Sequence, residues 1–302
     1  MVAGKTVCDD LMANRDQYPR TTLLVEAVVS ALQREDSPHS HLHRILHVLE
    51  LIYNARYTKG DSHLPVPFNV DNVKLFIQSS LHDIKVVENL STIDNATGKT
   101  TRLWGCVLKD KHDATMLGGD LKTICLNADM IEAYERSPRL RAQDISGALT
   151  AGIFAHETMH AVHLRMFPFQ DSESTPTLSI GLPGEDGARE SGFALEELLF
   201  GGAMGTIWDG EKSGHKLFDS ITNFTITKHG GTYNVPDAAA ANLVQSLLKD
   251  KQFTIVPHEK QRLPNPKPPL SRGREMPQIP ASPTVDIPAG HTVSRVGDSD
   301  QL

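Results

Sequence analysis

The sequence predicts an α+β fold, on three observations. Two N-terminal segments carry apolar residues at helical spacing. A middle segment reads as short strands around a turn. A long apolar helix with polar residues set into it follows.

Residues 20–34 form the first predicted helix. Residues 41–56 form the second, with Leu42, Ile45, Leu46, Leu49 and Ile52 on one face. The Pro-containing segment from His63 to Phe68 breaks the pattern, and residues 71–81 suggest another short helix. Over 84–109, Val86, Val87, Ile93, Leu103, Trp104, Val107 and Leu108 are interrupted by a polar stretch, which reads as a hairpin with Asn95 to Lys99 as its turn. Residues 121–127 predict a short apolar strand, residues 128–142 a polar helix, and residues from about Asp144 to Phe167 a long one. Pro168 to Gly187 is loop-like. A helix from about Ala188 to Phe200 is stopped by Gly201 and Gly202. The last predicted helix covers 237–249, with Asp237 as its N-cap.

The chain of 302 residues suits one large domain or two modest ones, and 39% hydrophobic with 22% charged residues suits a globular protein with a core. We expect a single metalloenzyme domain over 1–257, with sub-parts of about 1–142 and 143–257. Nine of the eighteen prolines lie from Pro257 onward, so 258–302 reads as a disordered tail or an extended arm lying on the body.

The net charge of -7 and the lack of a Lys/Arg run argue against nucleic acid as a partner. No secretory h-region and no stretch of transmembrane length stands out, so no membrane partner is expected. Cys8, Cys106 and Cys125 are odd in number and widely spaced, and read as free thiols of a cytoplasmic protein. The sequons at Asn89, Asn95 and Asn223 are then unused.

The strongest signal is His156-Glu157-Thr158-Met159-His160, an HExxH motif inside the long apolar helix. Histidines at i and i+4 share one side of a helix, so both imidazoles can converge on one Zn²⁺. Glu157, one step round, points beside the ion and can take a proton from a water that the metal activates. The competing explanation is a pair of hydrogen-bonded core histidines with a solvated Glu157. Burying these three polar groups among Ile145, Leu149, Ile153, Ala155 and Val162 is costly unless they are paired or ligate a metal.

A catalytic zinc needs a third protein ligand and one open position. His163 points elsewhere and reads as an exposed helix residue. Met166 occupies the place where metzincin spacing requires a histidine. The segment Glu190-Ser191-Gly192-Phe193-Ala194-Leu195-Glu196-Glu197 offers three glutamates instead. Here the chain resembles the gluzincin metallopeptidases, in which a glutamate on a helix downstream of HExxH completes the site. Residues 190–194 look like the NEGFA segment of the aminopeptidase branch with one residue inserted. That likeness implies Glu190 as third ligand, with Glu196 and Glu197 as alternatives, either as ligand or as acids orienting a histidine. Over about 120–202 the chain also resembles a group of poorly characterised fungal HExxH proteins.

The resemblance implies a zincin-like fold. A small N-terminal sheet, with an edge strand beside the active-site helix, would pack on a helical C-terminal part. Residues 123–127 read equally well as that edge strand, open to an extended peptide, or as an ordinary core strand. His215, His229 and Tyr233 are candidate oxyanion donors, and Tyr233, in a glycine-rich loop, is the choice among them. His39, His41, His43 and His47 read as a solvated polar face.

The sequence thus predicts a zinc-dependent, metallopeptidase-like hydrolase with one Zn²⁺ per chain. Its substrate would be a peptide or a small amide-containing molecule. The alternatives are a metal-dependent lyase, cyclase or amidase, a non-hydrolytic zinc protein, and a catalytically dead partner protein. Oligomeric state, and endo- or exo-cleavage, stay open.

Overall fold

The computed structural model describes residues 2–3, 8–36, 40–57, 69–93, 100–109, 111–117, 119–167, 191–208, 214–228, 231–253 and 263. In chain order the elements are β1 (Val2–Ala3), β2 (Cys8–Asp10), α1 (Pro19–Leu32), α2 (His41–Tyr57), α3 (Val70–Ser79), β3 (Ile84–Val87), β4 (Ser91–Ile93), β5 (Thr100–Arg102), β6 (Gly105–Val107) and α4 (Lys111–Met116). There follow β7 (Ile124–Asn127), α5 (Ala128–Arg136), α6 (Leu140–Met166), α7 (Ser191–Phe200), β8 (Ala203–Trp208), a 3-10 turn (Gly214–Ser220), β9 (Ile221–Lys228), β10 (Gly231–Val235) and α8 (Asp237–Asp250). The architecture is mixed α+β, as the sequence predicts.

Helix α6 is the axis of the molecule. Its 27 residues give it a length of about 40 Å. It is buried nearly all round, which is why its apolar residues form no single stripe. Helices α1, α3, α5, α7 and α8 and strands β6 and β7 surround it. Small residues permit this crowding. A Cβ on Gly147 would lie 2.6 Å from the Tyr134 ring, and one on Gly152 would overlap the Met204 methyl.

Local chemistry starts the neighbouring helices where they start. Glu135 on α5 accepts hydrogen bonds from the Arg20 and Thr21 amides, satisfying the N-terminus of α1 just after Pro19. Asn127, at the end of β7, caps α5 by accepting from the Asp129 amide at 3.0 Å. Its amide nitrogen also donates to the Leu103 carbonyl, tying the cap to the chain entering β6. Helix α7 ends at Gly201, whose φ of +76° suits glycine.

Three sheets flank the helices. The four-stranded sheet has the order β2-β3-β7-β6, with β3 and β7 parallel and the outer strands antiparallel. Strand β7 is therefore internal and fully buried, so residues 124–127 are a core strand and not the edge. The edge beside the long helix is β6. A Cβ on Gly105 would lie 2.5 Å from Ile153 Cγ2 and 3.3 Å from Glu157 Cγ, so the absent side chain lets this edge lie directly on α6. Strands β4 and β5 pair as the expected hairpin, and β1 adds to it; the turn residues 95–99 lie outside the described residues.

The C-terminal part is not purely helical. Strands β8, β9 and β10 form an antiparallel meander. Its alternation is weak, because β8 and β10 are mostly half-buried, so no clear period marks these strands. Helix α6 begins at Leu140, a few residues before expectation; α8 begins at Asp237 as expected, with Pro236 rather than Asp237 in the cap position. Of the C-terminal arm, Leu263 alone is described; its amide donates to the Thr232 carbonyl on β10 at 2.9 Å. Among the described residues no helix is long and apolar enough to cross a membrane.

Candidate metal centre

His156 and His160 stand one turn apart on α6, facing α7, and each is about 5% exposed. Their Nε2 atoms face each other at 3.2 Å. The opposite nitrogen of each ring is held from α7. Nδ1 of His156 lies 2.5 Å from Oε1 of Glu196, and Nδ1 of His160 lies 3.1 Å from Oγ of Ser191. Nδ1–H of His156, donated to the Glu196 carboxylate, leaves the lone pair on its Nε2. Where Nδ1 of His160 donates to Ser191, both lone pairs are presented to the same point; where the Ser191 hydroxyl donates instead, Nε2–H of His160 donates to His156.

Glu196 is fully buried, and both of its oxygens are engaged: Oε1 by His156, and Oε2 by the Met204 amide at 3.0 Å. That arrangement lets Glu196 fix the orientation of the His156 ring. The first residues of β8 therefore anchor the carboxylate that orients the histidine. The sequence named Glu196 as one of two alternatives, but nothing in it distinguishes Glu196 from its neighbour Glu197. Glu197 is also buried.

Glu157 is 7% exposed, and Oε1 lies 3.9 Å from Nε2 of His156. It sits beside the histidine nitrogens, under Gly105 of the edge strand. A freely solvated Glu157 is thus ruled out.

Gly192 is the site residue that sequence reasoning passed over. A Cβ at this position would fall 2.4 Å from Nε2, 2.5 Å from Cδ2 and 2.6 Å from Cε1 of His156. The imidazole lies against the bare Cα, with the Phe193 ring edge-on to it at 4.9 Å. A glycine near the start of an otherwise apolar helix was the available signal.

Other expectations change with the geometry. His163 is buried, not exposed, and packs edge-on to Phe167 with ring centroids 5.5 Å apart. Tyr233 is in strand β10, opposite Ile226, and not in a loop. Strand β9 separates it from the strand that touches Glu196, and its ring lies 5.9 Å from Lys228 Nζ. That placement lends no support to its role as an oxyanion donor. His229 and the side chain of His215 lie outside the described residues. His43 and His47 are exposed as expected, whereas His41 is half-buried against Phe253.

Glu190 lies outside the described residues, as does all of 168–190. Among the described residues, no group of three or more His, Cys, Asp and Glu side chains is arranged to hold a metal ion. The described part supplies two nitrogens. Two imidazole nitrogens bound to one tetrahedral zinc, each at 2.0–2.1 Å, stand about 3.3 Å apart. The 3.2 Å between the Nε2 atoms fits that donor set. Ser191, the first described residue after that segment, is bonded to His160.

No family model matches the chain, and neither a curated protein nor a solved structure matches it.

Proposed function

We propose that this protein is a zinc-dependent hydrolase that cleaves peptide or amide bonds, with His156, His160 and Glu190 as metal ligands and Glu157 as general base. The observation that carries this reading is the pair of Nε2 atoms 3.2 Å apart, each ring held through its other nitrogen. Each ring is thereby turned with its Nε2 toward the other, the orientation that two ligands of one ion need.

Zinc, when bound, supplies a Lewis acid that polarises the scissile carbonyl and brings the pKa of water down to about 7. Glu196 and Ser191 hold the two imidazoles so that neither ring must reorganise on binding. The Glu157 carboxylate takes the proton of the attacking water and passes it to the leaving nitrogen. Its burial beneath Gly105 keeps bulk water from competing for that proton. The edge strand β6, rather than β7, is the strand that a substrate beside Glu157 would meet.

The test is turnover of a quenched-fluorescent peptide library by the zinc-loaded full chain, with and without chelator, beside Glu157→Gln. Chelator-sensitive cleavage by the parent and metal-loaded but inactive Glu157→Gln are expected. A Gln variant as active as the parent would reject the general base. A zinc-loaded parent without cleavage would favour a lyase, cyclase or non-hydrolytic zinc protein.

A further inference from the structure

Outside the histidine site, the sheet brings two of the three cysteines together. In the antiparallel register of β6 on β7, Cys106 stands directly opposite Cys125. The Asn127 amide bonds the Trp104 carbonyl at 2.8 Å, and the Leu108 amide bonds the Thr123 carbonyl at 2.9 Å, two residues to either side. Because hydrogen-bonded and non-bonded pairs alternate, Cys106 and Cys125 form a hydrogen-bonded pair, with Cα atoms about 5.5 Å apart. That spacing falls within the range bridged by disulfides.

The two thiols also share a face. Gly105 faces α6, so Cys106, one residue on, faces away from it. Both cysteines pack in the small second core with Val87, Leu90, Leu108, Ala114 and Leu117, beneath α4. Both are free thiols. Cys125 is fully buried and Cys106 is half-buried, so a reagent reaches Cys106 first. The third cysteine, Cys8, is on β2, with β3 between it and β7.

We propose that Cys106 and Cys125 are a redox modification site that closes to a reversible cross-strand disulfide on exchange with a small-molecule disulfide such as oxidised glutathione. The Cys106 thiolate attacks one glutathione sulfur. The glutathione S–S bond breaks, and one glutathione leaves as thiolate. Cys125 loses its proton to solvent and attacks the Cys106 sulfur of the mixed disulfide, expelling the second glutathione thiolate. Two protein thiols are oxidised, and one glutathione disulfide is reduced to two thiols. The bond would fasten the edge strand β6, which backs onto Glu157 through Gly105, to the internal strand β7. It depends on no metal ligand.

Contact with the Cys125 thiol, then burial, holds the Cys106 thiol well above the usual range. Closure is therefore slow at neutral pH and speeds up in alkali.

The experiment incubates the full chain in glutathione redox buffers of graded ratio at mildly alkaline pH, then traps free thiols and maps peptides by mass spectrometry. The expected result is loss of two of the three thiols, a Cys106–Cys125 cross-linked peptide and full reversal by dithiothreitol. In Cys125→Ser, Cys106 should instead accumulate a glutathione adduct. Three free thiols at every ratio, or a lasting adduct on Cys106 of the parent, would overturn the proposal.

Discussion

Oε1 of Glu196 lies 2.5 Å from Nδ1 of His156, and both residues are buried. Replacing Glu196 by Ala leaves a buried imidazole N–H without its carboxylate, and also strips the Met204 amide of its acceptor. Zinc affinity should fall about 10–100-fold, measured by competition with a chromogenic chelator. Glu196→Gln, which can still accept from Nδ1, should lose less than Glu196→Ala. Equal affinity in all three proteins would remove Glu196 from the account.

Gly192→Ala places a methyl where the His156 ring now lies, 2.4 Å from Nε2. Alanine is a better helix former than glycine by about 1 kcal/mol, so α7 itself should not suffer. The ring must move, and with it the pairing with His160. The variant should stay folded by circular dichroism and lose zinc binding. Normal zinc binding would mean that the ring has room the structure does not show.

Gly105→Ala tests the contact of the edge strand with α6. The added carbon meets Ile153 Cγ2 at 2.5 Å, and overpacking of this kind costs about 1–3 kcal/mol. Denaturant titration should show that loss. An Ile153→Ala background should relieve part of it, as a double-mutant cycle would reveal. Strict additivity would place the strand elsewhere.

These glycines show where the sequence was legible and where it was not. The buried positions of α2 and the polar set of α6 follow from helical spacing, and both appear where the pattern put them: Leu42, Ile45, Leu49 and Ile52 are buried. The role of Gly105 and Gly192 depends on what crosses above them, and spacing within one element carries no record of that. Whether residues 123–127 are edge or core stays open in the sequence for the same reason. Residues 124–127 and 105–107 are both short and apolar, and only the pairing order separates them. The C-terminal meander escaped notice because Trp208, Tyr233 and Asn234 are half-buried, which blurs the period-two signal. Glu196 and Glu197 are adjacent identical residues, and the direction of each is set by tertiary contact.

His41 provides a pH test away from the metal centre. Burial first, then Arg44 and Arg34, lower its pKa from 6.5 to about 4, with Asp36 opposing. Its Nε2 accepts from the Phe253 amide at 3.3 Å. Between pH 4 and 6.5 the unfolded chain binds the proton and the folded chain does not, so stability rises with pH across that window. Acidification from 6.5 to 4 should therefore lower the denaturation midpoint, and His41→Gln should flatten this dependence. An unchanged slope in the variant would assign the acid sensitivity to other groups.

The zinc content of the purified full chain, measured by elemental mass spectrometry beside His156→Ala and Glu190→Ala, decides the metal assignment. About one zinc per parent chain is expected, as a single three-ligand site requires, and much less in either variant. A parent without zinc after reconstitution would contradict it, as would a Glu190→Ala protein that keeps its full complement.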